Sequence, residues 1–505
     1  MRNILLVHGF TTADGATSKL LGDIGGVLRT YTPASGGWAK ISTPVLHSTS
    51  LADATNFLNY AFFVDGTSSN LSYDGTTLSN TTNVTDSPIG YYIENLGINM
   101  YIGNIMINST RYRSRVWKSK PPKNNAVVWG LETGSDLTQT SSSAVVTSAG
   151  SSFISRGIEV GDPFFISNEG NAGEYVVRSV DSETQITLTK TLSASETNST
   201  FWVGGNWFDV NTDDGDVITG FGKNSNELLI LKRNSVHRYN EKSDTLRQVK
   251  TYPGTGSFRS IVNLNEFTYY YDPSSDAIRR YDGADCLIVS NAVEDLLENM
   301  SITMKDNVVG WKKKGSYVEM YIGDTQTRDG ETISNCVLTL DTVGQVWSVR
   351  SLPFGIDYAG YWIQDGVEHT YLGTYDGKVV KVDPTATSYD TYDISFFVQD
   401  SPVFPEGADV QVEFERVRVF INRGQDIQIM YRLLYVPVEG NEFAWRHGEW
   451  EAVLGKASGD MTEFVFDEAK GRRGTGIQFR FLESSSSKSF LIEKYMLYYS
   501  NPAIR

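Results

Sequence analysis

The chain has 505 residues, 60 acidic against 44 basic, which gives a formal net charge of −16 with histidine neutral. That length exceeds one ordinary core and points to roughly two to four domains, while the carboxylate excess excludes a broad grip on nucleic acid, which needs surplus Lys and Arg to displace counterions from phosphates. Two cysteines, Cys286 and Cys336, with no CxxC spacing exclude a disulfide scaffold and a thiolate zinc site, and they suit a reducing compartment.

Residues 1–50 read as irregular, punctuated by Gly22, Gly25 and Gly26, with Ile4-Leu5-Leu6-Val7 as a short apolar run. A secretory signal needs roughly 7–15 apolar residues, and no stretch reaches the ~18–20 of a spanning helix. The expectation is a soluble, unprocessed chain that meets no membrane, with Asn70-Leu71-Ser72 and Asn83-Val84-Thr85 as polar loops. Val7-His8-Gly9 looks like the His-Gly of α/β-hydrolase oxyanion holes, but no Gly-x-Ser-x-Gly elbow follows anywhere in the chain.

Residues 51–130 carry the first hairpins. Tyr60–Val64, a β-favouring run, is broken by Asp65-Gly66 and followed by Tyr73-Asp74-Gly75, and Asp-Gly between such runs predicts a primed two-residue turn. The phrase returns as Phe267–Tyr271 with Tyr281-Asp282-Gly283, and as Thr370–Gly373 with Tyr375-Asp376-Gly377. Such hairpins cannot bury both faces alone; stacked around an axis as propeller blades, they can. Between Thr110 and Lys123, Arg111, Arg113 and Arg115 alternate with other residues and lead into Trp117, Lys118 and Lys120. Period two places three guanidinium groups on one strand face, a candidate protein interface.

Residues 131–205 change character. A Ser/Thr-rich stretch precedes short strands at Ile158–Ile166, Gly173–Val177 and Thr184–Thr189, which describes a small β-barrel inserted between blades. Blades resume over 206–383, for example at Leu228–Tyr239, for an expected total of five to seven. Asn291–Met300 is the one predicted helix, with Asn291 as cap and Val293, Leu296, Leu297 and Met300 at helical spacing. Over 384–505, long alternating strands such as Val410–Phe420 and Gly476–Phe481, after a linker with Pro402 and Pro405, predict a β-sandwich. The fold class is therefore all-β: a β-propeller with an inserted small β-barrel and a C-terminal β-sandwich.

No catalytic residue is nominated. The five histidines have no HxxxH spacing, and Gly222-Lys223 lacks the rest of a P-loop. Asp209, Asn211 and Asp213 place oxygens at alternate positions as a calcium loop does, but the glycine of an EF-hand is displaced and its closing glutamate is missing, so a solvated turn is the expectation. No cofactor is expected.

A family resemblance covers about 115–481. It is carried by Arg115-Val116-Trp117, Gly161–Ile166, Asp181–Leu188, Trp207–Val210, Asp214–Gly220, Ser235–Tyr239 and Gly476–Phe481. In these phrases the chain resembles tail adaptor, nozzle or plug proteins of tailed bacteriophages, particularly the propeller-based proteins that close the portal channel of short-tailed phages. The resemblance implies a non-enzymatic virion component, a homo-oligomeric ring (hexamer) in the tail that meets portal or adaptor proteins. DNA would pass through it without sequence-specific binding, and the chain would be made in the host cytoplasm. The alternative is a carbohydrate-binding or glycoside-hydrolysing propeller, for which 10 Trp and 27 Tyr supply stacking surfaces.

Overall fold

A computed structural model describes residues 4–382 except 34–35, 42, 169, 251, 314–315, 324–325, 329–330 and 365, and beyond 382 the stretches 388–389, 392–393, 396–399, 412–422, 427–435, 446–447, 451–457, 462–465, 473–474, 476–483 and 491–500 together with position 405. The chain divides into two compact units, the second made mainly of residues 383–505.

The first unit is a seven-bladed β-propeller carrying a six-stranded barrel. Each blade is an antiparallel meander whose first strand lies innermost. These inner strands are Ile4–Thr11, Asp53–Phe57, Tyr92–Leu96, Ile218–Asn224, Val262–Leu264, Val309–Lys313 and Ile356–Gln364. Among the described residues, blades 1 to 6 have four strands and blade 7 has three. Residues 4–40, expected to be irregular, form blade 1 outright. Leu20, Leu21 and Leu28 are buried in it, the adjacent Leu20 and Leu21 on opposite faces of their strand, and the glycine pair at 25–26 makes its second turn. The apolar spacing was present but hidden among glycines.

The Asp-Gly signals mark turns, though not the two-residue kind. Asp74 Oδ1 accepts from the backbone N–H of Thr76 at 2.8 Å and Thr77 at 2.6 Å, so its side chain closes the four-residue loop 74–77. Asp282 does the same for Ala284 and Asp285 at 3.0 and 2.9 Å. Gly75 and Gly283 follow these aspartates with φ of 95° and 96°, a region open to glycine.

Blade 3 is interrupted. Its third strand, Thr110–Lys118, is separated in sequence from its fourth, Trp207–Asp209, by a small ribbon and a closed barrel. The barrel strands are Glu132–Gln139, Val145–Thr147, Pro163–Ile166, Gly173–Ser182, Gln185–Leu188 and Glu196–Val203. Its core holds Leu137, Val146, Val177 and Ile186, with Phe164 stacked on Phe201 at 5.3 Å. First and last strands pair, Glu132 opposite Val203, so the chain enters and leaves the barrel at one point.

The helical segment is shorter than its spacing predicts. Asn291–Val293 is a 3-10 turn, the α-helix proper is Glu294–Glu298, and Val293 rather than Asn291 occupies the cap. A second short helix, Ile302–Lys305, follows with Ser301 Oγ accepting from Met304 N at 3.3 Å.

In the second unit, Val412–Asn422 pairs with Leu491–Ser500, while Ile427–Tyr435 pairs with Gly476–Glu483. Val412, Phe414, Val417 and Val419 from one sheet share a core with Ile429, Tyr431, Ile477 and Phe479 from the other. Two sheets thus face each other across apolar side chains. The expected strict alternation breaks between Phe414 and Val417, where a register shift lets the strand change phase and return its apolar face inward. Pro402 and Val410 lie outside the described residues.

Ring closure joins blades 1 and 7 without exchanging a strand. Their inner strands approach so closely that a Cβ on Gly9 would lie 2.0 Å from the Tyr361 carbonyl oxygen, and one on Gly360 2.0 Å from that of Val7. Trp362 Nε1 donates to Ser18 Oγ, which donates to the Ile363 carbonyl, both at 2.7 Å. Val7-His8-Gly9 is therefore a closure element, and its glycine is there for backbone contact.

Candidate functional site in the propeller centre

The arginine row does not present one charged face. A register shift places Arg113 to Arg115 opposite Asn104, so the strand loses its period at that point. Arg115 is buried, 8% exposed, and grips Asp209 with Nε and Nη2 at 2.8 Å each while its guanidinium lies 3.4 Å from the Trp207 ring. Arg111 donates to the carbonyls of Asn104 and Gly66 and lies over Tyr91. Trp117 is fully buried and donates to the Trp129 carbonyl at 2.7 Å. Lys118 reaches Tyr239 Oη at 3.1 Å, and Lys120 pairs with Glu159 at 3.1 Å. Arg113 alone of the six is exposed.

The acidic loop at 209–216 already holds a cation. Lys232, whose side chain is fully buried, donates to the carbonyls of Val210 and Asn211 at 3.0 Å each and to both oxygens of Asp214 at 2.6 and 2.7 Å. Its ammonium stands where a metal ion would sit. Asp209 is bound to Arg115, and Asn211 and Asp213 are exposed. Among the described residues no three His, Cys, Asp or Glu side chains are grouped to hold a metal.

The polar groups that do converge lie mostly on the inner strands, with Arg259 from the 3-10 turn before blade 5 and Glu368 from the second strand of blade 7. They surround a central cavity of about 510 Å³ to which all seven blades contribute. Neighbouring blades are joined there by side chains. His8 of blade 1 bonds Asn56 of blade 2 at 2.9 Å. Thr55 of blade 2 donates to Glu94 of blade 3 at 3.2 Å, and Lys223 of blade 4 donates to Asn95 of blade 3 at 3.1 Å. The Lys223 N–H donates to Asn263 of blade 5 at 3.0 Å, and Lys312 of blade 6 reaches Glu368 of blade 7 at 2.8 Å. Arg259 adds 2.6 Å bonds to the Asp357 carbonyl and to Asn307 Oδ1.

Enclosure shapes the charge of this ring. Burial, with Glu94 nearby, pushes the Asp53 carboxyl up to about 7 against the N–H donors of Ile93 and Ala54. Burial also raises Glu94, with Lys223 pulling it back. His8 is lowered by burial and is neutral at pH 7. The cavity thus combines protonatable carboxyls, amides and the Arg259 guanidinium. Of these residues only His8 stands out in the sequence, in the phrase Val7-His8-Gly9, because inner strands such as Asp53–Phe57 and Tyr92–Leu96 are short, carry polar side chains and precede the apolar run that announces the hairpin. The signal was positional: the strand before each such run.

No protein-family model matches this chain, and no curated protein matches it. Among solved structures it is similar to a chain described as the phage phi92 endosialidase, at 12% identity and a TM-score of 0.22, over 78% of this chain and 53% of that one. The match therefore spans about half of that protein's length.

Proposed function

We propose that this chain is a structural protein of a bacteriophage tail. It assembles with copies of itself into a closed ring, a hexamer, that continues the portal channel, holds back packaged DNA and lets it pass on ejection. In this reading it is not an enzyme, binds no cofactor, and meets portal, adaptor or other tail proteins in the virion. The observation that carries it is the blade-to-blade bonding around the central cavity, where His8, Asn56, Glu94, Lys223, Lys312 and Glu368 each reach a neighbouring blade. Polar groups used this way build a stiff wheel, as a load-bearing component needs. The charge of −16 supports a surface past which a phosphate backbone slides. Contacts between copies must be heterologous and closed, and Arg113 is the member of the basic segment free to face outward. Mass photometry and cryo-EM of the purified chain test this: a ring of about six copies supports it, and a chain that stays monomeric and has no density on a tail axis overturns it.

A second reading has one specific support, the raised carboxyls of Asp53 and Glu94 in a single cavity, where a protonated carboxyl is a general acid. It requires polysaccharide turnover that Asp53→Asn or Glu94→Gln abolishes. Absence of turnover across a polysaccharide panel removes it.

A further inference from the structure

A second cavity, about 340 Å³, opens between blades 1 and 7, away from the central one. Blade 1 supplies Leu20, Tyr31 and Trp38, and blade 7 supplies Gln364, Tyr371 and Lys381. Its walls are aromatic faces held in fixed poses. Tyr31 packs on Trp38 at 5.3 Å and 46°, and edge-on to Trp362 at 6.4 Å, while Trp362 packs on Tyr371 at 5.8 Å. The Trp38 ring lies over Gly22, 3.0 Å from where a Cβ would stand.

The polar tips of these walls are unused. The hydroxyls of Tyr31 and Tyr371, the indole N–H of Trp38, the Gln364 amide and the Lys381 ammonium have no hydrogen-bond partner among the described residues. The Trp362 N–H, just behind the wall, is satisfied by Ser18. Apolar faces with a rim of free donors and acceptors in a space at the lower end of the roughly 300–1,000 Å³ of small-ligand sites describe a binding pocket. An aliphatic occupant would leave the rim unpaired, at about 1–3 kcal/mol for each group it desolvates. A polyphosphate or nucleic acid would meet one lysine on a chain of charge −16. The occupant that uses both features is a sugar ring, whose C–H face lies on an aromatic ring while its hydroxyls meet amide, phenol and indole.

We infer that this pocket is a saccharide-binding site, with Trp38 and Tyr31 as stacking surfaces and Gln364 and Lys381 as polar contacts. It does not depend on ring assembly, since one chain supplies every wall.

Titration of the full chain by calorimetry and tryptophan fluorescence, against neutral and uronate-containing oligosaccharides, tests the assignment. The expected result is saturable binding with a fluorescence change, about tenfold weaker or more in Gln364→Ala. Trp38→Ala should lose it, and Lys381→Ala should weaken uronate-containing sugars selectively. Arg247→Ala, on the outer strand of blade 4, should leave it unchanged. A melting temperature for each variant separates lost binding from lost folding. No binding by any oligosaccharide, binding indifferent to all three pocket variants, or displacement of a bound sugar by a mononucleotide would each overturn it.

Discussion

Lys232 replaces a bound ion with a covalently tethered one, and this has a measurable consequence. Its ammonium satisfies two carbonyls and a carboxylate inside the protein, so Lys232→Met leaves Asp214 and the loop carbonyls without their cation. A loss of about 1–3 kcal/mol is expected from the carbonyls left unsatisfied, since Asp214 itself reaches solvent, read by denaturant unfolding. Added calcium should not shift the melting temperature of the unaltered chain. Asp23 shows the opposite situation. It is fully buried with no well-formed hydrogen bond to either carboxylate oxygen, and burial raises it from 3.8 to about 7, with the Gly26 N–H pulling it back and the charge of Asp65 adding to the rise. Between those values the folded protein holds a proton that the unfolded chain releases. Stability from this group is therefore full below about pH 4 and is lost as pH rises through 7. Asp23→Asn should gain on the order of 3–4 kcal/mol at pH 8 and nothing at pH 4, a difference that melting curves at the two pH values will show.

At the scale of strands, the closure of the wheel rests on two glycines facing each other across blades 1 and 7. Gly9→Ala puts a methyl against the Tyr361 carbonyl, and the strands must separate to admit it. An overpacking cost of about 1–3 kcal/mol is expected, with hydrogen exchange rising first in Ile4–Thr11 and Ile356–Gln364; uniform exchange across the blades would contradict this. Strands were largely legible in the sequence, because their apolar runs and Asp-Gly breaks report a local preference. Blade 1 was missed because its leucines are separated by glycines and serines, which read as loop. The arginine row was misread because one register shift, invisible without the partner strand, turns Arg115 inward to Asp209. The central site was not legible at all. Asp53, Glu94 and Lys223 are about 40 to 170 residues apart, and only the closing of the ring brings their strands together.

For the whole molecule, the barrel is an appendage whose two ends meet. With Glu132 paired to Val203, replacing 132–203 by a short Gly/Ser turn should leave blade 3 able to recover its fourth strand at Trp207–Asp209. The expected outcome is a cooperative melt and an unchanged β signature by circular dichroism, whereas an aggregated or unfolded product would show that the barrel is needed to form the blade. The seam between blades 1 and 7 differs from the other joints in one further respect. Around the rest of the wheel, consecutive blades are tied by the polypeptide itself. At the seam, the described residues supply side-by-side packing, the glycine contact, the two bonds through Ser18 and the Ile4 N–H on the Asp357 carboxylate. The propeller is mechanically a split washer. A load that spreads the blades would concentrate at that gap, so the wheel would yield there by springing open rather than by tearing a blade.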